Sequence, residues 1–243
     1  MIVIFTGNSA SGKSTAASKF LTQLRQKGIP NIFDSDRIRL EKLARKDIED
    51  LSADLEGNFV GRRFKVIGKK SILPKKIVFQ ILTARVLNVV HNKMIHDLKK
   101  DQHKKEVRVI EYATGPIATF PDGTVLRQDM HYLFELLRRN NLHQDVLVRE
   151  IDAKLLIRSE RNSLRPDGLD EATFALLFGD GGEGSLEMAG NYGIHQYIAI
   201  DNNHKDGDRF LTSMLHSIDE QFFQEFGFRL EGIHMGSQRE REM

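Results

Sequence analysis

Residues 2–15 read Ile-Val-Ile-Phe-Thr-Gly-Asn-Ser-Ala-Ser-Gly-Lys-Ser-Thr, and no other stretch constrains the chain as much. Ile2, Val3, Ile4 and Phe5 have the pattern of a short buried strand. They run into Gly7-x-x-x-x-Gly12-Lys13-Ser14, the spacing of a phosphate-binding P-loop. A helix is expected next, over Thr15–Lys27, with Ala16, Ala17, Phe20, Leu21 and Leu24 on its inner face and Gly28 as its stop. Strand, loop and helix thus arrive in the order the motif needs. Gly7 and Gly12 let the backbone curl so that successive N–H groups aim at one polyphosphate. The helix points its positive dipole end at the same anion. On this reading Gly7, Asn8, Ser9, Ala10, Ser11, Gly12, Lys13, Ser14 and Thr15 form the cradle. Lys13 reaches the outer phosphates, and Ser14 places its hydroxyl on Mg²⁺.

A second strand, Ile29–Phe33, ends in Asp34-Ser35-Asp36-Arg37-Ile38-Arg39. Ligands of open parallel sheets bind at the carboxyl ends of the strands, so both aspartates belong beside the P-loop. A carboxylate there can take the proton of an attacking hydroxyl or hold Mg²⁺ through water. Asp36 is the first choice because it lies deeper in the turn, and Asp34 is the alternative. Arg39, one helical turn on, would pair with an anionic group of an acceptor.

Gly7–Thr15, the helix ending at Gly28 and the Asp34-x-Asp36-x-x-Arg39 turn together resemble the opening of P-loop nucleoside, nucleotide and metabolite kinases. Adenylylsulfate kinase is similar in this turn, and seryl-tRNA kinase and dephospho-CoA kinase share parts of the pattern. The resemblance covers about the first forty residues. It implies ATP and Mg²⁺ as cofactors and transfer of the γ-phosphate to a hydroxyl or phosphate of a small, anionic metabolite or nucleotide.

Downstream, Leu40, Leu43, Ile48 and Leu51 suggest an amphipathic helix over 40–56. Residues 57–76 carry Arg62, Arg63, Lys65, Lys69, Lys70, Lys75 and Lys76 with no acid among them. Two readings stay open. One is an inserted hairpin capping an anionic acceptor or a nucleic acid; the other is a solvated loop. A long helix is expected over Ile77–Lys100, with His91, His96 and His103 as surface residues near its end. Val107–Tyr112 is a strand whose acid, Glu111, fits the Walker B pattern and would join Ser14 in arranging Mg²⁺. Gly115 would approach the acceptor. Residues 117–129 read as a loop, Tyr132–Arg139 as a short helix and Val146–Ile151 as a strand. Arg158, Arg161 and Arg165 then resemble the lid arginines of nucleotide kinases. The resemblance implies that Arg158 and Arg161 close on the transferring phosphoryl group and that Arg165 binds substrate. Tyr197–Ile200 is a last strand and 210–226 a closing helix.

The fold class expected is α/β, a three-layer P-loop NTPase fold with five parallel strands and helices on both faces. It occupies one domain, 1–235, with a basic insertion at 57–76, a lid region at 158–195 and a disordered tail at 236–243. Cysteine is absent, which excludes disulfides and thiolate chemistry and suits a cytoplasmic protein. No apolar run approaches the roughly 20 residues that span a bilayer, and no signal peptide fits ahead of a strand that begins at residue 2. The formal net charge, +2, does not suggest a surface built throughout for nucleic acid. Two alternatives accompany the small-molecule kinase: a polynucleotide or RNA-end kinase using the basic segment, and a regulatory P-loop ATPase without an acceptor.

Overall fold

The computed structural model describes residues 1–49, 59–60, 64–67, 78–81, 83–100, 106–115, 118–120, 122–165, 171–179, 184–204 and 215–224. Strand β1 (Ile2–Gly7) leads through the P-loop into α1 (Lys13–Gln26), then β2 (Asn31–Ser35) and α2 (Asp36–Glu49). Three short strands follow, β3 (Phe59–Val60), β4 (Phe64–Ile67) and β5 (Val78–Ile81), then α3 (Ala84–Lys100) and β6 (Val107–Ala113). A small hairpin, β7 (Ala118–Thr119) and β8 (Val125–Leu126), precedes α4 (Met130–Arg139) and β9 (Val146–Asp152). Helices α5 (Leu155–Ser163), α6 (Glu171–Phe178) and α7 (Leu186–Asn191), strand β10 (Gln196–Asp201) and helix α8 (215–224) complete the described chain.

Five strands form one sheet in the order β10-β9-β1-β6-β2, and every pairing is parallel. The strand bearing the P-loop is therefore central, and all five carboxyl ends open on one edge. β1 is buried along its whole length, as a parallel strand covered on both faces must be. On one face Val3, Phe5, Val109, Leu147 and Ile151 pack on α1 and α8 through Phe20, Leu24 and Phe222. On the other, Ile2, Ile4, Ile110, Tyr112 and Val148 pack on α3 and α4 through Met94, Leu98, Leu133 and Phe134. The fold is thus α/β with helices on both faces of a five-stranded parallel sheet. No helix among the described residues is long and apolar enough to cross a membrane.

The first of these faces holds a charge. Arg149 of β9 is fully buried, with its guanidinium carbon 4.6 Å from the Phe20 ring centroid and 5.6 Å from that of Phe222. Its Nη1 donates to Asp219 of α8, which is itself buried. Burial pushes the guanidinium pKa down and the Asp219 pKa up, and the pairing opposes both shifts.

Several elements differ from the sequence expectations. The long helix over Ile77–Lys100 is a strand followed by a helix: Val78–Ile81 pairs antiparallel with Phe64–Ile67, and α3 starts at Ala84. Helical spacing of apolar residues does not exclude a strand where β4 offers a free edge. Thr124 Oγ1, accepting from Ala84 N at 3.0 Å, marks the start of the helix. The loop expected over 117–129 contains the β7–β8 hairpin, closed by Gly123 at φ 76°. His91 is not a surface residue. It lies on the same stripe of α3 as Leu87, Met94 and Leu98, so the helix that buries them buries it. His96 is exposed, and His103 lies outside the described residues. The basic side chains of 57–76 and the tail 236–243 also lie outside them.

Candidate active site

The loop between β1 and α1 winds tightly. Gly7 has φ 138° and Gly12 has φ 107°, and Ala10 sits at φ 63°, a left-handed conformation unusual for a residue with a side chain. A Cβ at Gly7 would fall 2.3 Å from the carbonyl oxygen of Ile151, so glycine is required there. Lys13 folds back, and its Nζ donates to Asn8 O at 3.2 Å. Thr114 N donates to Gly7 O at 3.1 Å, tying the end of β6 to the start of the loop. Ser14, at the first turn of α1, donates from Oγ to Glu111 Oε1 at 2.5 Å. Glu111 stands on the α1 face of β6, two residues before the strand ends.

Asp36 is the first residue of α2 and is 4% exposed. Its Oδ2 accepts from Ala113 N at 2.7 Å and from Gln128 Nε2 at 3.4 Å, and its Oδ1 from Arg37 N at 2.6 Å. Burial raises the carboxyl pKa above its ordinary value, opposed by the Ala113 bond and the charge of Lys13. Burial likewise lowers the Lys13 pKa, while the charges of Glu111 and Asp36 hold it up. A cation and two carboxylates thus share one corner at the mouth of the sheet, where the attraction between the buried Lys13 and Asp36 is weakly screened.

Asp34 lies outside this corner. Its Oδ2 accepts from Arg39 Nε at 2.7 Å and also from Arg39 Nη2, and Arg39 Nη2 donates to Asp97 Oδ2 of α3 at 2.7 Å. The Arg39 guanidinium is therefore held between two carboxylates of the protein, bracing α2 against β2 and α3.

Helix α5 carries Arg158 and Arg161, and Arg161 reaches the loop. Arg158 is fully buried, and its Nε donates to Ala153 O at 2.8 Å. Arg161 donates from Nη1 to Ser11 O at 3.2 Å and from Nη2 to Asn202 O at 2.8 Å. Arg165 is exposed beyond the end of the helix. Its charge and that of Arg158 both act on Lys13, lowering its pKa further. Gly115 N donates to Gln128 O at 3.2 Å, fastening the β7–β8 connection above Asp36.

Of the residues singled out in the sequence, the structure brings Lys13, Ser14, Glu111 and Asp36 into one corner, with Arg158, Arg161 and Gly115 around it. It places Asp34 and Arg39 against each other instead. Two further contributors were not among them. Gln128, from a segment without a pattern, reaches Asp36. Asn202, in the turn after β10, donates to Ser11 O at 2.7 Å. Its place after a terminal strand was the one clue, since strand ends in parallel sheets face ligands.

No protein-family model and no curated protein matches the chain. Among solved structures it is similar to an unliganded sugar kinase from Janibacter sp., at 14% identity and TM-score 0.47, covering 90% of this chain and 94% of the other. It is similar to shikimate kinase from Bacteroides thetaiotaomicron at 15% identity and TM-score 0.45, covering 91% and 98%. It is similar to a gluconokinase from Sinorhizobium meliloti at 11% identity and TM-score 0.43, covering 92% and 95%. None of these three is an adenylylsulfate, seryl-tRNA or dephospho-CoA kinase.

Proposed function

We propose that the protein is an ATP-dependent kinase of a small metabolite, moving the γ-phosphate of ATP to an acceptor hydroxyl. One observation carries the reading. A buried carboxylate, Asp36, shares a corner with the P-loop lysine at the open edge of a parallel sheet, where it can take the proton of an attacking hydroxyl.

The residues fit a magnesium nucleotide. The curled backbone at Gly7, Ala10 and Gly12 suits a polyphosphate, and the buried Asn8 Oδ1 and Ser11 Oγ have no hydrogen-bond partner among the described residues. The Ser14–Glu111 pair supplies hard oxygen atoms beside the loop, as magnesium prefers. When bound, the magnesium nucleotide supplies the phosphoryl group and a divalent charge that draws its oxygens together. Lys13 exchanges its bond to Asn8 O for the outer phosphates. Asp36, held by Ala113 N and Arg37 N, orients the acceptor hydroxyl and takes its proton. Arg161 holds Ser11 and Asn202 in place, so it shapes the loop, and Arg158 and Arg165 add positive charge where the phosphoryl group passes. Asp34 and Arg39 serve as a brace that fixes the first turn of α2 and with it Asp36.

The test is transfer of radiolabelled γ-phosphate across sugars, polyols, hydroxy acids and nucleosides. At least one acceptor is phosphorylated by the parent protein, and Lys13→Ala lowers its turnover by about a hundredfold or more. Full activity of Lys13→Ala on an accepted substrate refutes the assignment.

A further inference from the structure

Behind Asp36, in the corner between α3, β6 and α4, buried polar atoms go unmatched. Both ring nitrogens of His91 and the hydroxyls of Tyr112 and Thr114 have no hydrogen-bond partner among the described residues. All three residues are more than nine-tenths buried. Each unmet group carries its full desolvation cost, and folding alone gives no return for it. Unmatched polar groups gathered beside a candidate site point to a partner that completes them.

Their position supports this. Tyr112 and Thr114 flank Ala113, the residue whose N–H holds Asp36. The Tyr112 side chain packs on the α3/α4 face of the sheet, and the His91 ring lies 4.8 Å from that of Tyr112. Burial foremost, together with the charge of Asp36, keeps the Tyr112 phenol protonated, and burial keeps His91 neutral. The corner therefore offers hydroxyl groups and an imidazole with one donor and one acceptor. That set matches groups that both donate and accept, which is the property of hydroxyls and not of anions. At the edge of this corner stand Asn88 and Tyr132, both half-buried and joined by one long bond from Tyr132 Oη to Asn88 Oδ1 at 3.4 Å.

We propose that this corner binds the further hydroxyl groups of the acceptor, which is therefore a polyhydroxylated compound. Its hydroxyls part the Asn88–Tyr132 bond and hydrogen-bond to Tyr112, Thr114 and His91, leaving a neighbouring hydroxyl at Asp36. The inference rests on the kinase reading for the word acceptor, but the site itself is tested separately.

The protein, held with magnesium and a non-hydrolysable ATP analogue, is titrated with glucitol, myo-inositol, gluconate and, as a control without hydroxyls, butyrate. The His91 ring nitrogens and the Tyr112 ring carbons are followed by NMR. At least one polyol produces saturable shifts at both residues, and butyrate produces none. Absence of shifts with all three hydroxylated probes, or equal shifts with butyrate, overturns the proposal. For a probe that is also phosphorylated, Tyr112→Phe raises its KM roughly tenfold and leaves KM for ATP in place; an unchanged acceptor KM overturns it too. Failure of the kinase reading appears differently, as polyol-dependent shifts without phosphoryl transfer.

Discussion

Burial gives His91 a measurable signature in acid. Its native pKa is lowered from 6.5 to about 4, because the charged imidazolium would sit in the apolar corner beneath α3. Between these values the unfolded chain binds a proton that the native protein refuses, so stability falls as pH falls. The contribution is fully present above pH 6.5, is lost progressively toward pH 4, and is flat below it. At about 1.36 kcal/mol for each pKa unit, the whole loss is about 3 kcal/mol. Small-domain stability is commonly about 5–15 kcal/mol, so this is a sizeable share. The comparison is urea unfolding of the parent protein and His91→Phe, followed by circular dichroism from about pH 7.5 to about pH 4. Carboxylates titrating over the same range act on both proteins and cancel in the difference. The parent loses about 3 kcal/mol more than the variant over this interval. If the two lose stability in parallel, His91 titrates as an exposed residue does and the buried corner is wrong.

Other outcomes follow from the same geometry. Asp36→Asn abolishes the acid limb of the kcat/KM profile, and in the parent that limb lies above the ordinary carboxylate pKa because burial raises it; a limb at an ordinary carboxylate value in the parent contradicts the burial. Gly7→Ala drives a Cβ into Ile151 O, so calorimetry finds ATP binding lost and the melting temperature lowered. Asp219→Ala strands the Arg149 charge in the core and costs about 3–5 kcal/mol in denaturant unfolding, while Asp219→Ala with Arg149→Leu recovers much of that loss.

What the sequence made legible is local in origin. The P-loop announces itself because a tight anion cradle admits few residue types at Gly7, Gly12 and Lys13. The sheet follows from short apolar runs between helices. The β5 strand was hidden because its partner, β4, comes from a segment whose pattern is dominated by charge. His91 was hidden because a polar residue on an apolar stripe contradicts the stripe, and only the packing of α3 on β6 decides between them. Asp34 and Arg39 show a different limit. An aspartate and an arginine near a strand end read as ligand groups until a third residue, Asp97 of a distant helix, is seen to claim the arginine. Arg149 looked like one more strand residue, since nothing near it in sequence foretells an aspartate seventy positions on.

That last pairing bears on how the chain is made. Ribosomes deliver the P-loop first and α8 after every strand of the sheet. Until residues 215–224 emerge, Arg149 has no counter-ion and Phe20 lacks the ring of Phe222. The nascent sheet therefore waits with one flank bare and charged, the kind of surface that is prone to aggregate until its covering helix arrives.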